Sequence, residues 1–92
     1  SDSDREYGVV IDKSNKYSGL VSVDSLREAK QQQRCLVSAQ IDSAITLTPN
    51  QPINEILGSV AGVAYSVPVV DEQGQYFGVV SKSRLLHALD RD

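Results

Sequence analysis

One cysteine, one histidine and a formal charge of only −3 set the first bounds on this 92-residue chain. Cys35 has no second thiol to bond, so an internal disulfide is excluded, and a lone thiol fits a reducing cytosol. A nucleophilic role for Cys35 would need a base, and the only histidine is far away in sequence, so Cys35 reads as a buried or incidental thiol. His87 has no second histidine or cysteine near it, whereas a metal centre needs three or four ligands, so it reads as a surface or packing residue. Lys and Arg never cluster, which argues against duplex nucleic acid as a partner, because phosphate binding needs a basic patch. No apolar run approaches the ~18 residues of a membrane span. The opening Ser1–Glu6 is polar and charged, unlike a signal peptide, and is expected to fray. There is no G-x-x-x-x-G-K-S/T loop, so ATP hydrolysis by these residues alone is not expected. No pair of carboxylates stands out for acid–base work, and neither catalytic nor metal-binding residues are assigned.

What the chain does contain is a repeat. A constant shift of 59 residues lays the segment from Val9 onto the segment ending at Leu89 without a gap. Val10 falls on Val69, Asp12 on Asp71, Tyr17 on Tyr76, Gly19 on Gly78, Val21 on Val80, Ser22 on Ser81, Leu26 on Leu85 and Ala29 on Ala88. Such a repeat sets the architecture. Each copy reads as strand, tight loop, strand, helix. Val67–Val70 and Tyr76–Ser81 are short β-rich runs around a polar loop, which predicts an antiparallel hairpin. Tyr7–Ile11 and Tyr17–Val23 form the earlier one. Gly74 is matched by Asn15, and these two residue types most readily take positive φ, so one left-handed turn position is expected twice. Gly19 and Gly78 open the second strands, where a glycine allows close packing or the approach of a ligand.

The helices follow the hairpins. Asp24 to about Gln33 is the first, with Ser25 and Glu28 in capping-box spacing. Its polar end Gln31–Gln33 reads as solvated rather than as a recognition surface. The last helix runs from about Ser83, as N-cap, to Leu89 or beyond. Between the copies, residues 34–43 are a mixed connector in which an extra turn and a short strand both fit. Ala44–Thr48 alternates apolar and polar, as a half-buried strand does. A helix then starts at 48–52, with Asn50 or Gln51 as cap and Pro52 in its first turn. Ile53, Ile56, Leu57 and Val60 give it an apolar stripe, and Ala61–Gly62 end it. Residues 44–92 thus form a β-α-β-β-α unit of the α+β (α/β) class, and residues 7–33 form a partial copy. The counterpart of Ile45 falls before residue 1, so the chain was cut from a longer protein or its first unit is abbreviated.

These strings, I-T-L-T-P-N-Q-P-I-N-E-I-L and S-V-P-V-V-D-E-Q-G-Q-Y-F-G-V-V-S-K-S-R-L-L, resemble a CBS domain. The resemblance implies β-α-β-β-α units working in pairs. The strings D-R-E-Y-G, V-S-V-D-S-L, Q-Q-Q, S-V-P-V-V-D-E and L-L-H-A-L-D-R look like the C-terminal CBS pair of the ATP-binding subunits of glycine betaine/L-proline ABC transporters. That implies a cytoplasmic regulatory tail, peripheral to the inner membrane, with an upstream ATPase domain, a membrane permease and a second copy as partners. CBS pairs often bind adenine nucleotides, the one cofactor class implied. The hydroxyl of G-h-h-S/T (h, apolar) then touches phosphate, and an Asp three residues later holds the ribose. Here Ser22 and Ser81 supply the hydroxyls. The Asp positions hold Ser25 and Arg84, while Asp24 lies one residue early, where it can help cap the helix. Arg84 can pair a phosphate. Ser66 and Val67, at the entry to the second hairpin, complete the candidate ligand-binding set. Ser22 and Ser81 as plain helix-entry residues is the competing reading. Two functions follow: a non-catalytic regulatory module that senses ionic strength, through its charged ends Asp2–Glu6 and Asp90–Asp92, or a nucleotide; or a structural homodimerisation module.

Overall fold

The computed structural model describes residues 6–42 and 44–90. The expected frayed start therefore lies outside the described residues except for Glu6, which is exposed, and so does the charged end beyond Asp90. The chain divides between Ala44 and Ile45 into two compact units. Each is a small α+β unit built on an antiparallel strand pair.

In the first unit β1 (Tyr7–Ile11) pairs with β2 (Tyr17–Ser22), and α1 (Val23–Gln31) follows at once. In the second, β3 (Val67–Val70) pairs with β4 (Tyr76–Val80), and α3 (Lys82–Asp90) follows. The repeat extends to the hydrogen-bond register. Gly8↔Val21, Val9↔Leu20, Val10↔Gly19 and Ile11↔Tyr17 recur, 59 residues on, as Val67↔Val80, Pro68↔Val79, Val69↔Gly78 and Val70↔Tyr76. The register shift next to the turn recurs as well, at Val10/Ile11 and Val69/Val70.

The turns explain why the register is so well fixed. Asp12 Oδ1 accepts the backbone N–H of Ser14 (2.8 Å) and of Lys16 (2.9 Å), and Asp71 Oδ1 accepts those of Gln73 (2.9 Å) and Gln75 (2.8 Å). A short carboxylate that closes its own turn in this way is a local alternative to ladder bonds. Asn15 (φ 63°) and Gly74 (φ 86°) occupy the expected left-handed position.

The remaining segments depart from the sequence reading. Ala44–Thr48 is not a strand. Only Leu47 bridges, in parallel, to Val69, donating its N–H to Pro68 O (2.9 Å) and accepting that of Val70 (2.8 Å). The pattern was right about Leu47, which is buried, but one residue's pair of bonds is all that β3's outer edge takes up. Residues 36–39 form a 3-10 turn, Leu36–Ala39, after which Ile41 N–H donates to Leu20 O (2.7 Å) on β2. The helix α2 (Ile53–Ala61) has Pro52 itself at its N-cap and no side-chain cap; Gln51 Oε1 instead accepts the N–H of Thr48 (3.1 Å). Its apolar stripe is buried only at the C-terminal end: Val60 is 1% exposed and Ile53 56%. Gly62 ends it at φ −91°, without the left-handed turn that a C-terminal glycine commonly supplies. That turn occurs at the end of α1. Gln33 (φ 59°) sits there while its N–H and that of Arg34 close on Lys30 O (3.1 Å) and Ala29 O (2.8 Å). This is the double bond pattern of a Schellman motif, with a glutamine where glycine is usual.

Each unit has its own core. Val21, Ala29 and Ala39, with Val10 against them, fill the first; Leu47, Val60 and Val67, with Ile45, Ile56, Val63, Tyr65, Val69 and Val80 around them, fill the second. Tyr65 keeps its ring there by accepting the Ile45 N–H on its hydroxyl (3.0 Å).

Candidate functional site

The candidate hydroxyls sit where a strand hands over to a helix. Ser22 is extended (φ −117°, ψ 166°) and outside α1, so its side chain is free to turn back on the first helical turn. Its Oγ accepts the Ser25 N–H (3.0 Å), and Ser25 Oγ accepts the Ser22 N–H (2.9 Å). The capping box is therefore Ser22/Ser25, one step earlier than the expected Ser25/Glu28, because the strand ends at Ser22 and the helix begins at Val23. The second copy does the same. Arg84 N–H donates to Ser81 Oγ (3.2 Å), so Ser81, not Ser83, caps α3, and Ser83 lies within the helix. Both candidate hydroxyls thus have an acceptor lone pair engaged by their own helix. What each can still offer a phosphate oxygen is its O–H.

The hairpin register gathers the second-unit candidates at one end. Val67 faces Val80, which brings Ser66 and Ser81 to the same edge, with Arg84 within the first turn of α3. Ser66 is half-buried and Arg84 exposed. The Val67 side chain is fully buried in the core cluster, so only its backbone can meet a ligand. In the first unit, Asp24 stands in the opening turn of α1, where a negative charge suits the helix dipole. It lies 3.8 Å from Arg27 Nη1 in a pair open to solvent, which is worth little. At the place where the CBS resemblance puts a ribose-holding aspartate, Ser25 is already bonded on both sides: its Oγ also donates to Ser22 O (3.0 Å). The matching place in the other unit holds Arg84, of the wrong sign.

One concavity escaped the sequence reading. An open cleft of about 330 Å³ lies at the turn end of the second hairpin, away from Ser66 and Ser81. It is lined by Thr48, Pro49, Asn50, Asp71, Glu72 and Gln73. The only sequence signal at that place was the repeated turn aspartate. Two further expectations are corrected or sharpened. Cys35 is exposed rather than buried, because it precedes a 3-10 turn that only Ala39 anchors. Its thiol is held below the ordinary range, chiefly by the Ser38 hydroxyl 3.6 Å away and then by the Ser38 backbone. His87 is exposed on α3. Among the described residues no group of three or more His, Cys, Asp or Glu could hold a metal ion, and no helix is long and apolar enough to cross a membrane.

A protein-family model for the CBS domain matches residues 39–91. The glycine betaine/proline betaine transport system ATP-binding protein ProV of Escherichia coli K12 is 48% identical over 91 residues, 99% of this chain but 23% of that protein. Its counterpart from Salmonella typhimurium is 46% identical over the same share of each. The chain thus spans 23% of the length of these curated relatives. Among solved structures, Staphylococcus aureus OpuCA superposes with a TM-score of 0.82 over 94% of this chain and 75% of that one, at 16% identity. The structure of CbpB in complex with c-di-AMP superposes with a TM-score of 0.79 over 91% of this chain and 61% of that one, at 18% identity. At these identities the structural likeness is one of fold.

Proposed function

The chain belongs to the CBS-domain family, and from that premise we propose that it is the non-catalytic regulatory segment of the ATP-binding subunit of an osmoprotectant ABC transporter. The observation that carries this reading is the 46–48% identity to such subunits over 99% of the chain. On this reading an ATPase domain and a membrane permease are its partners, its place is the cytoplasmic face of the inner membrane, and its transported solutes are betaines or L-proline. Regulation requires a ligand or ion atmosphere that stabilises one state of the transporter over another; binding to both equally changes nothing.

The effector is ionic strength, or an adenine nucleotide held through its phosphates. CbpB with c-di-AMP, and the CBS pair of MJ0100 with 5-methylthioadenosine and S-adenosyl-L-methionine, support the second class. The junction residues favour phosphate over ribose. Ser22, Ser81 and Arg84 offer donors, whereas no carboxylate stands at the ribose position in either copy. Binding of that kind is electrostatic and weakens as salt rises over a screening length of about 8 Å at physiological strength. One titration therefore separates the readings: calorimetry and thermal shift with ATP, ADP, AMP and cyclic dinucleotides across a salt series. Saturable binding lost in Ser81→Ala or Arg84→Ala supports the nucleotide. A salt-dependent change without ligand supports ionic sensing. Indifference to both removes the regulatory reading.

A second reading is favoured by a different observation. Phe77 (61% exposed) and Val79 (46%) lie on β4, and Leu86 and Leu89 on α3 are about half exposed. Exposed apolar side chains on these two consecutive elements fit a homodimerisation module that aligns two ATPase subunits. Light scattering for mass tests it.

A further inference from the structure

The adenine nucleotide that the family implies can be tested part by part against the donor set of the two junctions. A ribose diol presents two hydroxyl protons, and a side chain that holds it must accept them. Neither unit offers such a group at the third residue past the junction hydroxyl. In the first, Ser25 Oγ already accepts the Ser22 N–H (2.9 Å) and has spent its one proton on Ser22 O (3.0 Å). In the second, Arg84 carries donors alone and can accept neither proton. The ribose therefore fits neither junction.

A phosphate fits one of them. Helical side chains lean toward the N-terminus of their own helix, so Arg84, in the opening turn of α3, leans back toward Ser81. Arg84 is exposed, and among the described residues it meets no carboxylate. Ser81 Oγ accepts the Arg84 N–H (3.2 Å) and keeps its own proton to give. The pairing of Val67 with Val80 brings the half-buried Ser66 hydroxyl to the same strand end. The two copies differ here in charge. The 59-residue shift sets Val23 on Lys82, Asp24 on Ser83 and Ser25 on Arg84. The first turn of α1 thus holds an acid and no base, and that of α3 holds two bases and no acid. Bidentate guanidinium, hydroxyl protons and a positive helix end all recognise phosphate oxygens, whereas the Asp24 carboxylate repels them.

We propose that this chain binds one polyphosphate group, at the α3 junction, and leaves the sugar unread. A nucleoside triphosphate, its dideoxy form and inorganic tripolyphosphate are then equivalent ligands, and the α1 junction takes none of them. This rests on the nucleotide reading above and narrows the ligand to its phosphates. The feature that carries it is the replacement of an acceptor by Arg84, which removes the grip on the ribose and adds one on the phosphate with the same side chain.

The test is calorimetry on the intact chain at low salt, with ATP, 2′,3′-dideoxy-ATP, inorganic tripolyphosphate and adenosine as probes. The expected result is a single site per chain, with the three polyphosphates within about threefold of one another and no binding of adenosine. Arg84→Ala, folded by circular dichroism, should weaken ATP and tripolyphosphate alike by about tenfold or more, while Asp24→Asn leaves both within about twofold. Binding of ATP with dideoxy-ATP weaker by about tenfold or more, as a gripped hydroxyl would give, overturns the sugar-blind site and leaves the nucleotide reading standing. So does binding of ATP without binding of tripolyphosphate, binding that Arg84→Ala leaves unchanged, or a second site abolished by Ser22→Ala. Failure of every probe to bind overturns both.

Discussion

Gly19 and Gln40 form a coupled pair whose energy can be read by substitution. A Cβ on Gly19 would stand 2.6 Å from Gln40 Cδ and Oε1 and 3.0 Å from its Cγ; the three nearest atoms all belong to that one flexible side chain. Gly19→Ala therefore has to push the Gln40 amide away from Ser18 Oγ. Losing that bond costs about 0.5–1.5 kcal/mol. Exchanging glycine for alanine in a strand returns about 0.5–1 kcal/mol. The single variant should therefore fall between stabilised by about 0.5 and destabilised by about 1 kcal/mol on the same two magnitudes. Gln40→Ala alone should cost about 1 kcal/mol. In the Gln40→Ala background the obstruction is gone, and Gly19→Ala should become stabilising by about 0.5–1 kcal/mol. The difference between the two backgrounds is a coupling of about 1 kcal/mol, as expected for groups in contact. Urea unfolding of the four proteins, read by the amides of buried Leu20 and Val21, measures it. Additive costs, with Gly19→Ala equally unfavourable in both backgrounds, would refute the packing argument.

Four other outcomes follow from the same geometry. Gln33→Gly should stabilise the protein by about 1 kcal/mol in thermal unfolding, because it removes a side chain from a left-handed helix end. Val60→Ala should cost about 2 kcal/mol, since its side chain is buried in the second core, while Ile53→Ala on the same helix should stay within about 0.5 kcal/mol. Asp71→Ala strips two turn N–H groups of their acceptor and should cost about 1–3 kcal/mol in urea, with Asp71→Asn losing less because its amide oxygen still accepts. Cys35 should be alkylated with a pH midpoint below that of an ordinary thiol. The Ser38 hydroxyl favours the thiolate, so Ser38→Ala should move the midpoint upward.

Much of the fold could be read from the sequence because the information was local and present twice. The turn aspartates, the Asn15/Gly74 position and the β-branched runs each act within a few residues, and the 59-residue shift carried the register and its irregularity from one hairpin to the other. Failures came where tertiary partners decide. Ala44–Thr48 has strand alternation, but β3 pairs with one residue of it. Ile53 continues an apolar stripe that runs out beyond the core before reaching it. Ser25 and Ser83 looked like caps because the strand ends could not be placed to one residue, and helix caps depend on that residue. Of the candidate site, the gathering of Ser66 with Ser81 followed from the hairpin. The cleft beside Asp71 did not, since it joins residues 48–50, ahead of α2, to a turn more than twenty residues away.

Pro68 has a consequence for fidelity. It occupies a place in β3 where its missing N–H is never requested, neither by Val79 nor by Leu47. If the strand slid by one residue, the proline ring would stand where β4 demands a donor, and every side chain would exchange faces. The misaligned hairpin is thus ruled out by a single ring. The first copy carries Val9 at the same place and has no such safeguard, so errors in strand alignment during folding should arise in β1–β2 and not in β3–β4.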